Sequence, residues 1–169
     1  MAVTSAVRRA RNGAVELAYE LVGPPGGEPL LLIMGLDSPM RWWPDGFCFA
    51  LADRGFTVAR FDNRGIGRSR GPGGRARGGT GRAASAGYSV LDMVEDAEAV
   101  LDALGWSSAH LVGQSLGASV AIGFGLRHPE RVRTVTSISG LPRGYRIAEA
   151  ARYVDPRGLL RMEIGRAHV

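Results

Sequence analysis

The sequence of 169 residues contains no lysine, a single cysteine and no apolar run long enough to cross a bilayer. One cysteine, Cys48, excludes an internal disulfide framework and is typical of a reducing compartment. The longest apolar stretches, at 30–36 and 111–126, are too short or too interrupted by glycine for a span of about 20 residues. The first 13 residues hold arginines but no apolar h-region. These absences predict a cytoplasmic protein without a membrane partner.

Because lysine is absent, all 21 basic residues are arginine, and with 16 acidic residues they give a net charge of +5. Five arginines form one short run and account for this excess: Arg68, Arg70, Arg75, Arg77 and Arg82. A basic run can bind a polyanion, but proteins that bind single strands interleave aromatic residues for base stacking. This run contains no aromatic residue. Nucleic-acid binding is therefore a minor hypothesis, and no nucleic-acid partner is expected.

Segments typical of strands and helices alternate along the chain. The predicted strands are 15–22, 30–34, 56–61, 110–113 and 132–138, and the predicted helices are 47–54, 90–104, 115–127 and 147–153. Asn12-Gly13 predicts a hairpin that joins a shorter run around Ala6-Val7 to the first strand. Ser89 with Asp92 predicts a capped helix start. The alternation predicts an α/β fold, with a mainly parallel central sheet flanked by helices, in a single domain over residues 1–169.

One segment departs from this alternation. Residues 71–87 are rich in glycine, arginine and alanine, a composition that predicts a flexible surface loop.

The motif with the clearest chemical meaning is Gly113-Gln114-Ser115-Leu116-Gly117, a G-x-S-x-G sequence. With 25 glycines in the chain, chance alone would supply about 0.2 such motifs, so the surrounding elements must decide its meaning. Here it follows a short predicted strand and opens an apolar helix, which is the context of a nucleophilic serine. The alternatives are a glycine-rich turn of a nucleotide-binding fold or a structural cap.

Several motifs, in order along the chain, resemble the α/β-hydrolase fold superfamily. Residues 30–36 (LLLIMGL) resemble the strand and turn that supply half of the oxyanion hole, and residues 61–69 (FDNRGIGRS) resemble the D-x-R-G-x-G-x-S loop. Residues 128–132 (HPERV) resemble the link into the next strand. Met34-Gly35 with Trp43-Pro44-Asp45 looks most similar to aclacinomycin methylesterase-like hydrolases. The resemblance runs from about Val15 to Leu141 and implies the core of this fold through about its sixth strand.

The resemblance implies a role for each matching position. Ser115 would be the acyl-accepting nucleophile, the backbone N–H groups of Leu36 and Leu116 would hold the oxyanion, and Gly113, Gln114 and Gly117 would complete the nucleophile elbow. No metal or cofactor is implied.

Two positions depart from the family pattern, and two others could be mistaken for catalytic residues. Many relatives carry histidine at the positions of Met34 and Gln114. Neither change removes a backbone donor, so both bear on substrate shape rather than mechanism. Asp62 and Arg64 are expected to brace a loop.

The rest of a catalytic triad is harder to find. His110 precedes Ser115 by five residues on a strand, so it lies about 16 Å away, and His128 follows along a helix, about 20 Å away. His168 could serve only with Asp155, Glu149 or Glu163 as its acid. The family places its acid and histidine after further strands, so we expect both beyond the end of this chain and expect the chain alone to be inactive.

The last six residues carry a separate expectation. Residues 164–169 (IGRAHV) resemble the translation of a short-read sequencing adapter, and we expect them to be a non-native tail on a chain truncated at its C-terminus.

The leading hypothesis is a serine hydrolase that cleaves a small-molecule carboxylic ester through an acyl-enzyme on Ser115 in the complete parent protein. A serine nucleophile, as opposed to aspartate, argues against the dehalogenase and epoxide-hydrolase branches. Thioesterase, lactonase, amidase and cofactor-free haloperoxidase chemistry stay open. The alternative from another class is a non-catalytic ligand-binding protein of the same fold.

Overall fold

The computed structural model describes residues 4–71 and 88–140 as a sheet with helices. The six strands are β1 (Arg8–Asn12), β2 (Val15–Val22), β3 (Glu28–Ile33), β4 (Phe56–Phe61), β5 (Ala109–Gln114) and β6 (Val132–Ile138). The three α-helices are α1 (Asp45–Ala52), α2 (Val90–Ala103) and α3 (Leu116–Arg127), and short 3₁₀ helices cover Met40–Trp42 and Pro129–Arg131. The predicted loop beyond Gly71, the helix at 147–153, His168 with its candidate acids, and the tail at 164–169 lie outside the described residues.

The strands form one mixed sheet in the order β1-β2-β4-β3-β5-β6. β1 and β2 pair antiparallel, as do β2 and β4, whereas β4, β3, β5 and β6 run parallel. The central register places Ile33 of β3 beside Phe61 of β4 and beside Gly113 of β5. The carboxyl ends of these three strands therefore meet at one edge of the sheet, where α/β folds bind ligands. The prediction of a mainly parallel α/β sheet is confirmed.

The two faces of the sheet carry separate hydrophobic clusters. Because successive residues of a strand point to opposite faces, Leu31 and Ile33 of β3 pack in the cluster with α2 and α3. Leu30 and Leu32 pack with α1 on the other face. The sheet is thus covered by helices on both sides, as the near-continuous apolar run in β3 predicts.

The boundaries of most elements lie within two residues of the predictions from sequence, and Ser89 and Asp92 form a reciprocal capping box at the start of α2. The hairpin differs in two respects: its first strand is Arg8–Asn12, so the prediction of a run around Ala6-Val7 is wrong, and its turn is shifted by one residue. Asn12 pairs with Val15 inside the ladder, so the two-residue turn begins at Gly13, which has φ +55°. The amide of Asn12 donates to Asp96 Oδ1 over 2.9 Å. Since this contact with α2 holds Asn12 in the strand, the turn moves on to the glycine.

Helix α1 begins two residues earlier than predicted. The carbonyl of Pro44 accepts hydrogen bonds from the amides of Phe47 and Cys48, at 3.0 and 3.1 Å. Pro44 is the N-cap of α1, and its extended backbone, with φ −61° and ψ 141°, is typical of that position.

β6 lies at one end of the strand order and pairs with β5. Most of its residues are exposed, including Val135 and Ile138, each 38% accessible. Within the described ranges, no helix has both the length and the apolar character that a membrane crossing requires.

Candidate active site

Ser115 lies at the junction between β5 and α3, and its backbone conformation is unusual. It has φ 52° and ψ −117° at the N-cap of α3, and its side chain is exposed. A non-glycine residue held in such a sparsely populated region costs about 1–3 kcal/mol, and such residues concentrate at functional sites. The strand–serine–helix context inferred from the G-x-S-x-G sequence is therefore present, with the serine side chain at the carboxyl edge of the sheet.

The two glycines of the motif are required by close packing. A Cβ on Gly113 would lie 2.6 Å from the Cα of Ala118 and closer still to the carbonyl of Gly117. A Cβ on Gly117 would lie 2.7 Å from the Met34 oxygen and would overlap the Ile33 carbonyl. These neighbours are backbone atoms, which cannot turn aside. The glycines thus let the start of α3 sit directly against the ends of β5 and β3.

This packing gives a testable expectation for Gly117→Ala. The added methyl must push the start of α3 away from β3, and overpacking of this kind costs about 1–3 kcal/mol. We expect a loss of that size in the free energy of unfolding, measured by urea titration. Gly46→Ala is the matched control, because Gly46 is also the second residue of a helix but has nothing within 4 Å of an added Cβ. The control should gain stability, by about 0.5 kcal/mol, and a loss of equal size in both variants would refute the packing argument.

The turn after β3, residues 34–36, faces the serine. Since Ile33 pairs with Gly113, the chain leaves β3 beside residues 114 and 115. A Cβ on Gly35 would lie 3.3 Å from the Ser115 Cβ and 3.8 Å from its Oγ. Leu36 is 47% exposed, and the Ser38 hydroxyl donates to its carbonyl over 3.0 Å.

The backbone N–H groups of Ser115 and Leu116 differ in their hydrogen bonding. The Ser115 amide donates to the Ile138 carbonyl over 2.9 Å. Leu116 is the first residue of α3, and the first amides of a helix have no acceptor within the helix and lie at its positive end. An anion that forms beside the Ser115 hydroxyl would therefore meet the favourable pole of α3.

Asp62 braces the chain from inside, as expected. It is 2% exposed, and its carboxylate accepts from the amides of Met40, at 2.7 Å, and Arg68, at 2.8 Å. The Ser69 hydroxyl, which donates to the Asp62 carbonyl, accepts from the Ala18 amide over 2.9 Å. All of these contacts are made to backbone groups, so Asp62 is committed to holding the loop that follows β4.

Arg64 extends the same brace to α2. Its guanidinium donates to both oxygens of Asp96, at 2.6 and 2.8 Å, and to the Asp92 carbonyl. Burial lowers the pKa of Arg64, but the hydrogen bonds and charge of Asp96 outweigh burial and raise the pKa overall. Arg64 therefore stays charged and structural, and the expectation of a loop brace is confirmed.

Both described histidines are engaged away from Ser115. His110 Nδ1 lies 2.8 Å from Thr134 Oγ1, on the neighbouring strand. His128, at the far end of α3, has its Nδ1 3.5 Å from Glu98 Oε1. Its ring borders a polar cleft of about 410 Å³ between the β1–β2 turn and α2, which Ser115 does not line. Neither histidine is placed to act as the base for Ser115.

Sequence reasoning missed a buried ionic cluster beneath the segment that follows β3. Glu20 and Arg60 are both 0% exposed and lie opposite each other on β2 and β4. Arg60 donates to Glu20 over 2.7 Å, and it also contacts Asp45 and the Trp43 carbonyl. Arg41 donates to the other oxygen of Glu20 over 2.8 Å. The cluster ties the 3₁₀ turn and the start of α1 to the sheet.

Contacts within this cluster shift the pKa values of Asp45 and Arg60. The hydrogen bond from Arg60 lowers the pKa of Asp45. Burial lowers the pKa of Arg60, but the bonds and charges of Asp45 and Glu20 raise it overall.

Cys48 lies beside the cluster, with its Sγ 3.7 Å from the Arg60 guanidinium. Burial raises the pKa of this thiol, and the side chain is 0% exposed. Cys48 is therefore a poor competitor for the role of nucleophile. Among residues 4–71 and 88–140, no three histidine, cysteine or acidic side chains are grouped so as to hold a metal ion.

Comparison with known proteins identifies the family of this chain. The model of the family described as alpha/beta hydrolase fold matches residues 27–162. Rhodomycin D methylesterase DauP of Streptomyces sp. (strain C5) is 39% identical over 126 residues, which cover 75% of this chain and 39% of that protein. RutD of Variovorax paradoxus, named as a proposed carbamate hydrolase, is 34% identical over 141 residues, which cover 83% of this chain and 48% of that protein.

A solved structure agrees with these sequence matches. The crystal structure of a hydrolase from Pseudomonas aeruginosa superposes with a TM-score of 0.65 at 30% identity, and covers 81% of this chain and 48% of that one. The chain thus spans less than half the length of each of these relatives. The sequence matches, the mixed sheet and the serine at the β5–α3 junction agree, and this chain belongs to the α/β-hydrolase fold family.

Proposed function

We propose that the protein is a serine hydrolase in which Ser115 is the nucleophile and a small-molecule carboxylic ester is the substrate. The observation that carries the proposal is the backbone of Ser115, with φ 52° and ψ −117° and an exposed side chain. A structural cap would not need this geometry, and the Ser115 side chain makes no capping hydrogen bond to α3.

In the proposed reaction, the Ser115 oxygen attacks the acyl carbon while its proton passes to a histidine base. The carbonyl oxygen becomes an oxyanion, held by the backbone N–H groups of Leu36 and Leu116. The intermediate then collapses, the alcohol leaves with the proton, and an acyl-enzyme forms on Ser115. Water attacks this ester in the same way and releases the acid.

The base and its acid are the parts that the described residues do not supply. His110 and His128 are held by Thr134 and Glu98. Because the relatives are more than twice as long as the matched region, we propose that the histidine and acid lie in sequence that follows this chain in the parent protein. The 169-residue chain alone is then expected to be inactive.

The ester is the preferred substrate because two relatives, from Streptomyces sp. and Streptomyces peucetius, are named rhodomycin D methylesterases, at 39% and 37% identity. The match to RutD favours a carbamate as the second candidate. Both bonds place a polarised carbonyl before the same nucleophile, so the two candidates differ in the substrate pocket and not in the first step.

Covalent labelling tests the nucleophile directly. The protein is expressed from the gene's full open reading frame and treated with an alkyl fluorophosphonate, which transfers its phosphonyl group to an activated serine and releases fluoride. We expect one added phosphonyl group, located by tandem mass spectrometry on the peptide that contains Ser115.

The matched control is Ser119→Ala, which removes a half-buried serine one turn further along α3. This variant should label normally, whereas Ser115→Ala should not label. Labelling that persists in Ser115→Ala would reject the proposed nucleophile. A protein that binds ester ligands but takes up no label would instead support the non-catalytic alternative.

A further inference from the structure

The carbonyl of Met34 is a junction between three parts of the site. Met34 is 2% exposed, and its oxygen accepts a hydrogen bond of 2.9 Å from the side-chain amide of Asn63, which follows β4. On its other side the same oxygen touches the start of α3, where Gly117 approaches so closely that a Cβ would lie 2.7 Å away. The loop after β4, the turn after β3 and helix α3 therefore meet at one oxygen atom.

This oxygen belongs to the peptide that precedes Gly35, and Gly35 in turn precedes Leu36, whose N–H is the proposed oxyanion donor. A glycine has little conformational preference of its own, so the direction of the next N–H depends on what holds the neighbouring peptides. The Asn63 amide fixes the peptide before Gly35, and the Ser38 hydroxyl bonds the Leu36 carbonyl after it. Asp62 holds the chain further on through the Met40 amide.

Asn63 is itself well suited to this task. It is 4% exposed and extends from the carboxyl end of β4, immediately after the buried Asp62. An amide donor keeps its hydrogens at every pH, whereas a carboxylate at this position would face the Met34 oxygen with a second acceptor.

We propose that Asn63 is a positioning residue for the oxyanion hole. It holds the Met34 carbonyl so that the Leu36 N–H and the start of α3 converge on one point beside Ser115. This inference rests on the proposed function and extends it, because it assigns the alignment of the donors to a side chain that does not touch the substrate.

The test compares Asn63→Ala and Asn63→Asp in the protein expressed from the full open reading frame, with p-nitrophenyl butyrate as substrate. Both variants lose the donor to Met34, and Asn63→Asp keeps the side-chain volume. Since misplacing a donor acts mainly on the transition state, we expect kcat to fall roughly 10- to 100-fold while KM changes by less than about twofold. The affinity for a trifluoromethyl ketone, which forms a tetrahedral adduct on serine, should fall by a similar factor.

Asn12→Ala is the matched control, because it also removes an amide hydrogen bond of 2.9 Å, to Asp96, but away from Ser115. Its kcat and inhibitor affinity should stay within about twofold of the parent protein. If both Asn63 variants match this control, or if KM rises while inhibitor affinity holds, the positioning role is wrong. Failure of both variants to fold would also overturn it, since Asn63 would then be needed for folding.

Ser115→Ala in the same assay separates this inference from the proposed function. Activity that survives Ser115→Ala rejects the proposed nucleophile. Loss of activity in Ser115→Ala, together with normal Asn63 variants, rejects the positioning role alone.

Discussion

Ser115→Ala is expected to lower kcat/KM for p-nitrophenyl butyrate by at least about 10⁴-fold in the protein expressed from the full open reading frame. The alanine removes the oxygen that would form the acyl-enzyme, and the remaining donors can at most assist direct attack by water. Each factor of ten corresponds to about 1.36 kcal/mol in the barrier, so the loss amounts to roughly 5 kcal/mol. Initial rates over a range of substrate concentrations measure it.

Two further substitutions make this result specific. Ser119→Ala should keep kcat/KM within about twofold. Ser115→Gly should be as inactive as Ser115→Ala but more stable, by about 1 kcal/mol, because glycine relieves the strain of φ 52°. A Ser115→Ala protein that keeps a tenth of the parent activity would exclude the acyl-enzyme mechanism. A Ser115→Gly protein that is less stable than Ser115→Ala would show that the backbone at position 115 is not strained.

The elements of the fold could be predicted from sequence because their signals are local. The strands at 56–61 and 132–138 match the predicted ranges, and the cap at Ser89 is present as a capping box. The order β4-β3-β5 is not a local property, since it depends on which apolar faces pack together. The turn of the first hairpin shifted for the same reason, because the contact of Asn12 with Asp96 of α2 is tertiary. The earlier start of α1 is instead local, since the Pro44 carbonyl accepts from the amides of Phe47 and Cys48.

The residues of the candidate site also differ in whether local sequence signals could predict them. The G-x-S-x-G sequence located Ser115, and the resemblance to a family supplied the expectation for Leu36 and Leu116. Asn63 was one polar residue within a recognised loop, and nothing in its neighbours indicated that its amide reaches Met34. Its role depends on the register that places β3 beside β4, and a sequence motif does not reveal the register between strands.

The Glu20–Arg60 pair shows what register adds. Arg60 is the one charged residue of β4, and Glu20 is one of two glutamates in β2. From the sequence alone, a charge in such a strand suggests only an exposed position. The antiparallel pairing of β2 with β4 sets them directly opposite each other, with both 0% exposed. A buried charge is tolerated only when it is paired and hydrogen-bonded. The pair must therefore form together or the strands cannot pack as they do.

Glu20→Gln is accordingly expected to destabilise the fold strongly. The amide keeps the shape of the carboxylate but leaves the buried guanidinium of Arg60 with Asp45, which is half-exposed, as its anionic partner. Removal of one member of a buried ion pair costs about 3–5 kcal/mol, and we expect a loss in the free energy of unfolding near the lower limit, because Asp45 stays. Urea unfolding followed by circular dichroism measures it.

Glu16→Gln is the matched control on the same strand, because Glu16 is partly exposed and its ion pairs with Arg9 and Arg11 span 3.5 and 3.8 Å. Exposed pairs contribute less than about 1 kcal/mol, so this variant should be nearly as stable as the parent. The double substitution Glu20→Leu with Arg60→Met removes both buried charges, and it should cost less than Glu20→Gln alone. Equal losses in Glu16→Gln and Glu20→Gln would show that the pair is not held away from water. If the double variant is less stable than Glu20→Gln, the contacts of Arg60 with Trp43 and Asp45 contribute more to stability than the pairing of its charge with Glu20.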